Sequence, residues 1–451
     1  MAHSSGALGS EDIKQLLIKQ AVPASIGILF MSINILVDTI FVGQWIGSLA
    51  IAAVTVVLPI TFLISSLGMA IGIGGSSIIS RALGARDKEK AMQTFGNQIM
   101  MTLSLALLFV IVGFVYCDEI LLLFGANGEI MKPAKEFFIP VLFGVPFLAL
   151  CMMGNNVIRA EGKAKFAMMA MIIPAFGNIF LDIIFIKFLN MGMFGAALAT
   201  TISYFMCFVF ILWFFIKKSE LKPGLHHFKF VSTIVREISS LGLVTFSRQG
   251  VVSVLAIIIN HTLYTYGGEH SVVIYGIISR MLMFALFPIL GITHGFLPIA
   301  GYNYGAENYN RVKETIAISI KYSALLATII FLLILIFAKP IVSVFTTDVA
   351  VIEATPNALR WVFAATPIIA LQLIGAAYFQ AAGKAIPALL LTLSKQGFFL
   401  IPLVLILPNY FGIFGVWVAF PIADVLSTIV TTYFLRREMT TKLTEKTDGI
   451  L

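Results

Sequence analysis

Two acidic residues stand one helical turn after an asparagine, and both do so inside apolar runs of a 451-residue chain. Asn34 precedes Asp38, and Asn178 precedes Asp182 in the segment NIFLD, so each amide shares a helical face with its acid. Thr200 adds a hydroxyl in a third apolar run. An ionisable side chain at bilayer depth costs at least about 2.5–3.5 kcal/mol on insertion scales, which makes an acid kept there a functional candidate. The set supports two kinds of chemistry. A buried carboxylate pair does not readily hold two charges, so it shares or exchanges a proton. Alternatively, its oxygens wrap a small hard cation, with backbone carbonyls completing the shell. The competing reading is that both acids sit near the outer surface and only cap helices.

A second polar set lies further along: Arg248, Arg280, Lys395 and Asp424, again within apolar runs. Three cations around one anion read either as an internal charge cluster that holds the second half together, or as cations lining a cavity that receives anionic or zwitterionic cargo. Pro23 stands fifteen residues before Asp38. It removes a backbone hydrogen bond and permits a kink, so it is a candidate hinge.

The elements that position these residues are membrane helices. Hydrophobic residues make up 59% of the chain and charged residues 12%, against about a quarter charged in soluble domains. That excludes a soluble globule with a single anchor. Apolar runs of the length a bilayer requires predict twelve helices at 14–40, 48–80, 92–116, 134–158, 164–187, 192–216, 236–266, 269–300, 311–337, 354–381, 386–406 and 411–436. The absence of period-2 alternation excludes an outer-membrane barrel. The predicted class is therefore all-α integral membrane. The three cysteines, Cys117, Cys151 and Cys207, form neither a disulfide framework nor a metal motif. No HExxH, nucleophile elbow or carboxylate–histidine cluster at one depth points to an enzyme.

The net charge of +8 gathers in alternate loops. Arg81, Arg86, Lys88 and Lys90 sit in one; Arg159, Lys163 and Lys165 in the next of the same side; Lys217, Lys218, Lys222, Lys229 and Arg236 in the central one. Arg311 and Lys313, then Arg436, Arg437 and Lys442, complete the series. This is the positive-inside pattern, which sets both termini in the cytoplasm and is no sign of nucleic acid.

The chain also repeats itself. VPFLALCMMGNNVIRAEGKA from Val145 returns as TPIIALQLIGAAYFQAAGKA from Thr366, 221 positions on, with Pro146, Gly154 and Gly162 matching Pro367, Gly375 and Gly383. Two six-helix lobes of like orientation should thus be related by a pseudo-two-fold axis along the membrane normal, with a cavity between them. The expected division is a disordered start at 1–13 without signal-peptide pattern, lobes at 14–216 and 236–436, a cytoplasmic linker at 217–235 and a tail at 437–451. The repeat sets Asp38 opposite Asn260, Asp182 near Pro402 and Thr200 opposite Phe420. The acids are therefore confined to the first half, which favours one coupling site there.

LGAR at Leu83–Arg86 follows GIGGSSIISR, and RAEGKAK from Arg159, NIFLD from Asn178 and GAALAT from Gly195 come after it in order. With these motifs the whole chain resembles the multidrug and toxic compound extrusion (MATE) family, and within it the DinF/MepA-like branch whose coupling acids lie in the N-terminal lobe. The resemblance implies ion-coupling roles for Asp38, Asn178, Asp182 and Thr200. It adds the Ala196 carbonyl as a further ligand and Asn155, beside Asn34, as a polar neighbour. Arg248 and Asn260 in helix seven and Gln372 in helix ten depart from the branch with acids in the second lobe. The family implies antiport, in which H⁺ or Na⁺ enters as a drug-like compound leaves through a plasma or inner membrane. No cofactor is expected, nor any metal beyond a Na⁺ at Asp38 and Asp182. Expected partners are drug-like small molecules and membrane lipids, with the protein a monomer. A flippase for a lipid-linked precursor, from the same superfamily, is the alternative that Arg248, Arg280 and Lys395 keep open.

Overall fold

The computed structural model describes residues 4–441 and 443, and among them it is almost entirely helical, with no strand. Lys442 of the basic tail lies outside the described residues. Helices α1 to α6 span Ile13–Trp45, Ser48–Gly84, Lys88–Val115, Gly128–Ala160, Ala164–Phe188 and Gly192–Lys217. The next helical stretch, Ser232–Gly305, has 74 residues. At 1.5 Å per residue that is about 110 Å, several times the apolar thickness of a bilayer. Gly268 breaks it, with φ 66° and ψ −167°, a conformation essentially reserved for glycine. The break separates α7 (232–267) from α8 (269–305), where the sequence places the division between its seventh and eighth helices. Helices α9 to α12 span Tyr309–Phe345, Val349–Ala381, Ala385–Phe411 and Ile413–Thr441. The chain is thus a multi-pass membrane protein, and its exposed residues such as Leu107, Leu108, Ile111 and Val115 on α3 are suited to lipid.

The chain folds as two compact units. One holds the described residues up to Ser10 together with Ile26–Thr245; the other holds Glu11–Ser25 and everything from Phe246. Against lobes expected at 14–216 and 236–436, the first turns of α1 group with the second unit, and those of α7 with the first. Glycines explain both assignments. In the second unit a Cβ on Gly295 would stand 2.9 Å from the Ala21 nitrogen, and Gly291 meets Ser25. In the first, a Cβ on Gly242 would stand 2.8 Å from the Ala70 carbonyl oxygen, and one on Gly74 would collide with the Ile238 carbonyl. Without a hydrophobic effect between helices in lipid, such close backbone packing supplies much of the attraction.

Each unit is organised around its fourth helix. Protein covers 67% of the apolar window of α4 and 72% of that of α10, against 17–33% for α1, α2, α3, α5 and α6. Gly154 on α4 faces Ile211 on α6, and Gly375 on α10 faces Thr431 on α12. The repeat reaches the backbone: Gly162 and Gly383 both turn at positive φ, 75° and 78°. Likewise Asp87 caps α3 by accepting from the Lys90 amide at 2.9 Å, and Asn308 caps α9 by accepting from the Arg311 amide at 3.3 Å.

Residues 4–13 depart from the disorder expected over 1–13; residues 1–3 lie outside the described residues. Ser4–Gly6 and Ala7–Ser10 are short helical turns. Leu8 is fully buried and packs on Gly162, while Ser5 donates to Glu220 from its amide at 3.2 Å and its hydroxyl at 2.7 Å. Beside them Glu161 is buried in the α4–α5 turn. Burial pushes its carboxyl up; the Ser219 hydroxyl, Lys163 and the Glu220 amide pull it back. Leu8 and the two hydrogen bonds from Ser5 to Glu220 tie down a segment whose composition alone reads as loose.

Gly375→Leu drives a side chain into Thr431 and lowers the unfolding midpoint in detergent, at an overpacking cost of about 1–3 kcal/mol. Gly250→Ala, where a Cβ meets nothing within 4 Å, does not lower it; thermal melts of the two variants check the pair.

Candidate functional site

Three helices of the first unit carry the candidate residues: the 26–45 part of α1, α5 and α6. Asn34 fastens the first two, its Nδ2 donating to Asn178 Oδ1 at 2.8 Å and to the Ala175 carbonyl at 3.3 Å. One turn further on, the shared i to i+4 spacing brings Asp38 and Asp182 face to face, close enough for one carboxyl to hydrogen-bond the other once a proton is present. Asp182 is fully buried and Asn178 is 4% exposed, while Asp38 is only partly covered.

Among the described residues, no donor reaches Asp38 Oδ1 or either oxygen of Asp182, and Asn178 Nδ2 has no acceptor. Ionised carboxylates offer lone pairs only, so two of them side by side satisfy nothing in each other. A proton or a cation between them removes the repulsion and the unmet bonds together. That is the chemistry the sequence pattern points to, and the geometry removes the helix-cap reading of Asp182, which sits inside the bundle.

The local fold explains the placement. The α-helical part of α5 ends at Asp182 and runs on as a π-helical turn over Ile183–Phe188, a departure that recurs at functional positions because it re-aims side chains. Helix α6 meets that turn through Gly195, where a Cβ would stand 3.1 Å from the Phe185 carbonyl. Ala196, Ala197 and Ala199 are fully buried behind it. The small residues of GAALAT thus let α6 approach α5 at the level of the acids.

The other expected members are placed less directly. Thr200 Oγ1 donates to the Ala196 carbonyl at 3.0 Å, so the two expected ligands hold each other. Among the described residues the Thr200 hydroxyl makes no bond to either acid. Asn155 is not part of the group. Its Nδ2 donates to the Ala167 carbonyl at 2.6 Å and its Oδ1 accepts from Arg159 Nε at 3.0 Å. Ala167 is eleven residues before Asn178, about 16 Å along the helix, so Asn155 clamps α4 to α5 well away from the acids. Tyr204 was missed by the sequence reading. It lies one turn after Thr200 on α6, with its phenol buried near Asp38; the i, i+4 spacing from Thr200 was the available signal.

In the second unit Lys395 Nζ meets Asp424 Oδ1 at 2.6 Å, with Asp424 buried. Lys395 belongs to the π-helical turn Ser394–Leu400 in α11. Arg280 is exposed, Arg248 is partly covered, and among the described residues neither has an ion-pair partner. The expected cluster around Asp424 is therefore a pair.

The MatE family model matches residues 23–184 and 248–406. The multidrug export protein MepA of Staphylococcus haemolyticus (strain JCSC1435) is 28% identical over 424 residues, 93% of each chain. MepA of Staphylococcus aureus (strain N315) is 27% identical over 433 residues, 95% of each. Among solved structures, a MATE protein in the bent conformation superposes with TM-score 0.93 at 27% identity, covering 100% of both chains. An outward-facing multidrug resistance MATE family transporter of the MOP superfamily superposes with TM-score 0.90 at 27% identity, covering 96% of this chain and 97% of its own. With more than half its length in the family model and two six-helix repeats in one chain, the protein belongs to the MatE family of multidrug and toxic compound extrusion transporters.

Proposed function

We propose that the protein is a secondary active multidrug exporter, of the branch with first-lobe acids, that antiports amphiphilic or cationic compounds against H⁺ and/or Na⁺ by alternating access. The facing pair Asp38 and Asp182, with orphaned oxygens in an apolar bundle, carries this reading. The MepA relatives, named for multidrug export and matched over 93–95% of their length, support the cargo class. In the proposed orientation both termini lie in the cytoplasm of a plasma or inner membrane, and the acids lie toward the outer side, where the ion enters. The transporter works as a monomer.

The coupling follows from differential affinity. An ion that binds one state better and a drug that binds the other better each shift the equilibrium their own way, and antiport results only from that opposition. Loading neutralises Asp38 and Asp182, and unloading restores their repulsion across the α1–α5 contact. Pro23 denies the Lys19 carbonyl its helical partner, and the boundary between the compact units falls two residues later, at Ser25 and Ile26. In this reading α1 transmits the state of Asp38 by bending at Pro23; solved MATE structures similar to this chain include one in a bent and one in a straight conformation.

A lipid-linked-precursor flippase is the second reading, and Arg248 and Arg280, without ion-pair partners among the described residues, are what favours it. Expression in a host stripped of its own pumps separates the two: protection against cationic amphiphiles fits the exporter. Protection against none, with altered lipid or surface-polymer export, replaces it with the flippase.

Asp38→Asn abolishes coupled drug transport in everted vesicles, and Asp182→Asn weakens it strongly. Both variants keep an unfolding midpoint at or above the wild type, because an amide in place of one acid supplies a donor to the other. Wild-type transport by Asp38→Asn removes that residue from the mechanism. The same vesicles under an imposed pH gradient, in Na⁺-free buffer, assign the ion: retained transport means H⁺ suffices, and lost transport means Na⁺ is required. Pro23→Ala, which returns an N–H to the ladder and favours the helix by about 3 kcal/mol, slows transport without unfolding the protein; an unchanged rate separates the hinge from the cycle.

A further inference from the structure

The segment joining the two halves carries a cluster that transport does not use. Leu225–His227 form one 3-10 turn, and it lies against the start of α3. Three contacts of the first unit hold it there. A Cβ on Gly96 would collide with the His227 carbonyl, so only glycine admits the turn. The Asn97 side chain, fully buried, donates to the Lys229 carbonyl at 3.0 Å and accepts from the Val231 amide at 2.9 Å. Arg81 pairs with Glu237 at 2.7 Å just beyond.

On this pinned turn the rings of His226 and His227 lie with centroids 3.8 Å apart, tilted by 39°. Glu89, in the first turn of α3, meets both: its Oε1 is 3.0 Å from His227 Nε2 and 3.8 Å from His226 Nε2. One donor atom from each of the three lies within 4.8 Å of the others. His227 is 3% exposed, and its Nε2, although near Glu89, has no hydrogen-bond partner among the described residues. A buried ring nitrogen left without a partner costs free energy.

We propose that Glu89, His226 and His227 form a Zn²⁺ site, with three protein ligands and a fourth position open to water. Two imidazole nitrogens and one carboxylate oxygen are a borderline donor set; Mg²⁺ and Ca²⁺ take oxygen shells instead. A tetrahedral ion with bonds of about 2.0–2.1 Å needs its donors roughly 3.3–3.4 Å apart, and the Glu89 distances to the two rings bracket that value. His227 Nδ1 accepts from the Gly224 amide at 2.8 Å and lies 3.2 Å from the Gly224 carbonyl. Metal on Nε2 requires the ring proton on Nδ1, so binding exchanges the bond from the Gly224 amide for one donated to the Gly224 carbonyl, the outer-sphere bond that ligating histidines usually make. Bound Zn²⁺ thereby ties the connecting turn to the first turn of α3. The site stands apart from the acids and is independent of which compound or ion is transported.

The test uses the full chain, free of any affinity tag, stripped with chelator and kept in detergent. Titration against a fluorescent zinc indicator gives one saturable equivalent, Co²⁺ in its place gives the visible absorption of a tetrahedral ion, and Zn²⁺ raises the unfolding midpoint. His226→Ala, at the most exposed ligand, loses the equivalent, and Glu89→Gln weakens binding by at least about tenfold; both keep the metal-free midpoint of the wild type. His227→Gln repeats the loss at the buried ligand. Absence of a saturable equivalent overturns the site. So does undiminished binding in His226→Ala, which places the metal elsewhere.

Discussion

The opposition of two carboxyl groups, Asp38 and Asp182, is the constraint on which the rest of the first unit depends. Water cannot be relied on to solvate the fully buried Asp182, and no protein donor among the described residues does so. In the proposed mechanism, whatever neutralises the pair must be brought in and must be able to leave. The surrounding architecture holds them in that position. Asn34 joins α1 to α5 one turn below the acids, the π turn after Asp182 redirects α5, and the glycine and alanines of α6 close the third side. Each device is small, and each is needed because lipid supplies no hydrophobic force to press the helices together.

The internal repeat shows how the same scaffold is stiffened where chemistry is not required. Gly154 and Gly375 seat α4 and α10 against the last helix of their own repeat. Gly162 and Gly383 end α4 and α10 at nearly the same positive φ, and Asp87 and Asn308 cap the helices that follow the second and eighth. None of these positions touches the acids. They are matched because the backbone path demands them, whereas Asp38 and Asp182 are unmatched because no path does.

The helices, the repeat and the acid pair were legible in the sequence for definite reasons. A bilayer fixes helix length, alternate basic loops fix their order, and an i, i+4 pair of amide and acid on two helices announces a shared face. What escaped depends on contacts between distant segments. Leu8 finds its pocket on Gly162, more than 150 residues away, so composition read the start of the chain as disordered. Asn155 has the right type for the acid site but the wrong height, which only the tie to Ala167 reveals. The exchange of the first turns of α1 and α7 between compact units rests on glycine contacts that no hydropathy profile weighs. Adjacent His226 and His227 carry no motif until Glu89 is folded onto them.

The two units settle their buried acids by opposite means, and the difference assigns their roles. Asp424 is paired with Lys395, a cation built into the same unit. Removing either partner of such a pair leaves an uncompensated charge, which costs roughly 3–5 kcal/mol, so the pair has every reason to stay closed. Asp38 and Asp182 have no built-in cation among the described residues, and a second carboxyl only deepens the need for one. A charge balanced from within the fold holds a structure together and is indifferent to gradients. In the proposed antiport, one balanced from outside ties the energy of the fold to the supply of H⁺ or Na⁺. On that reading coupling belongs to the unit whose electrostatics are incomplete.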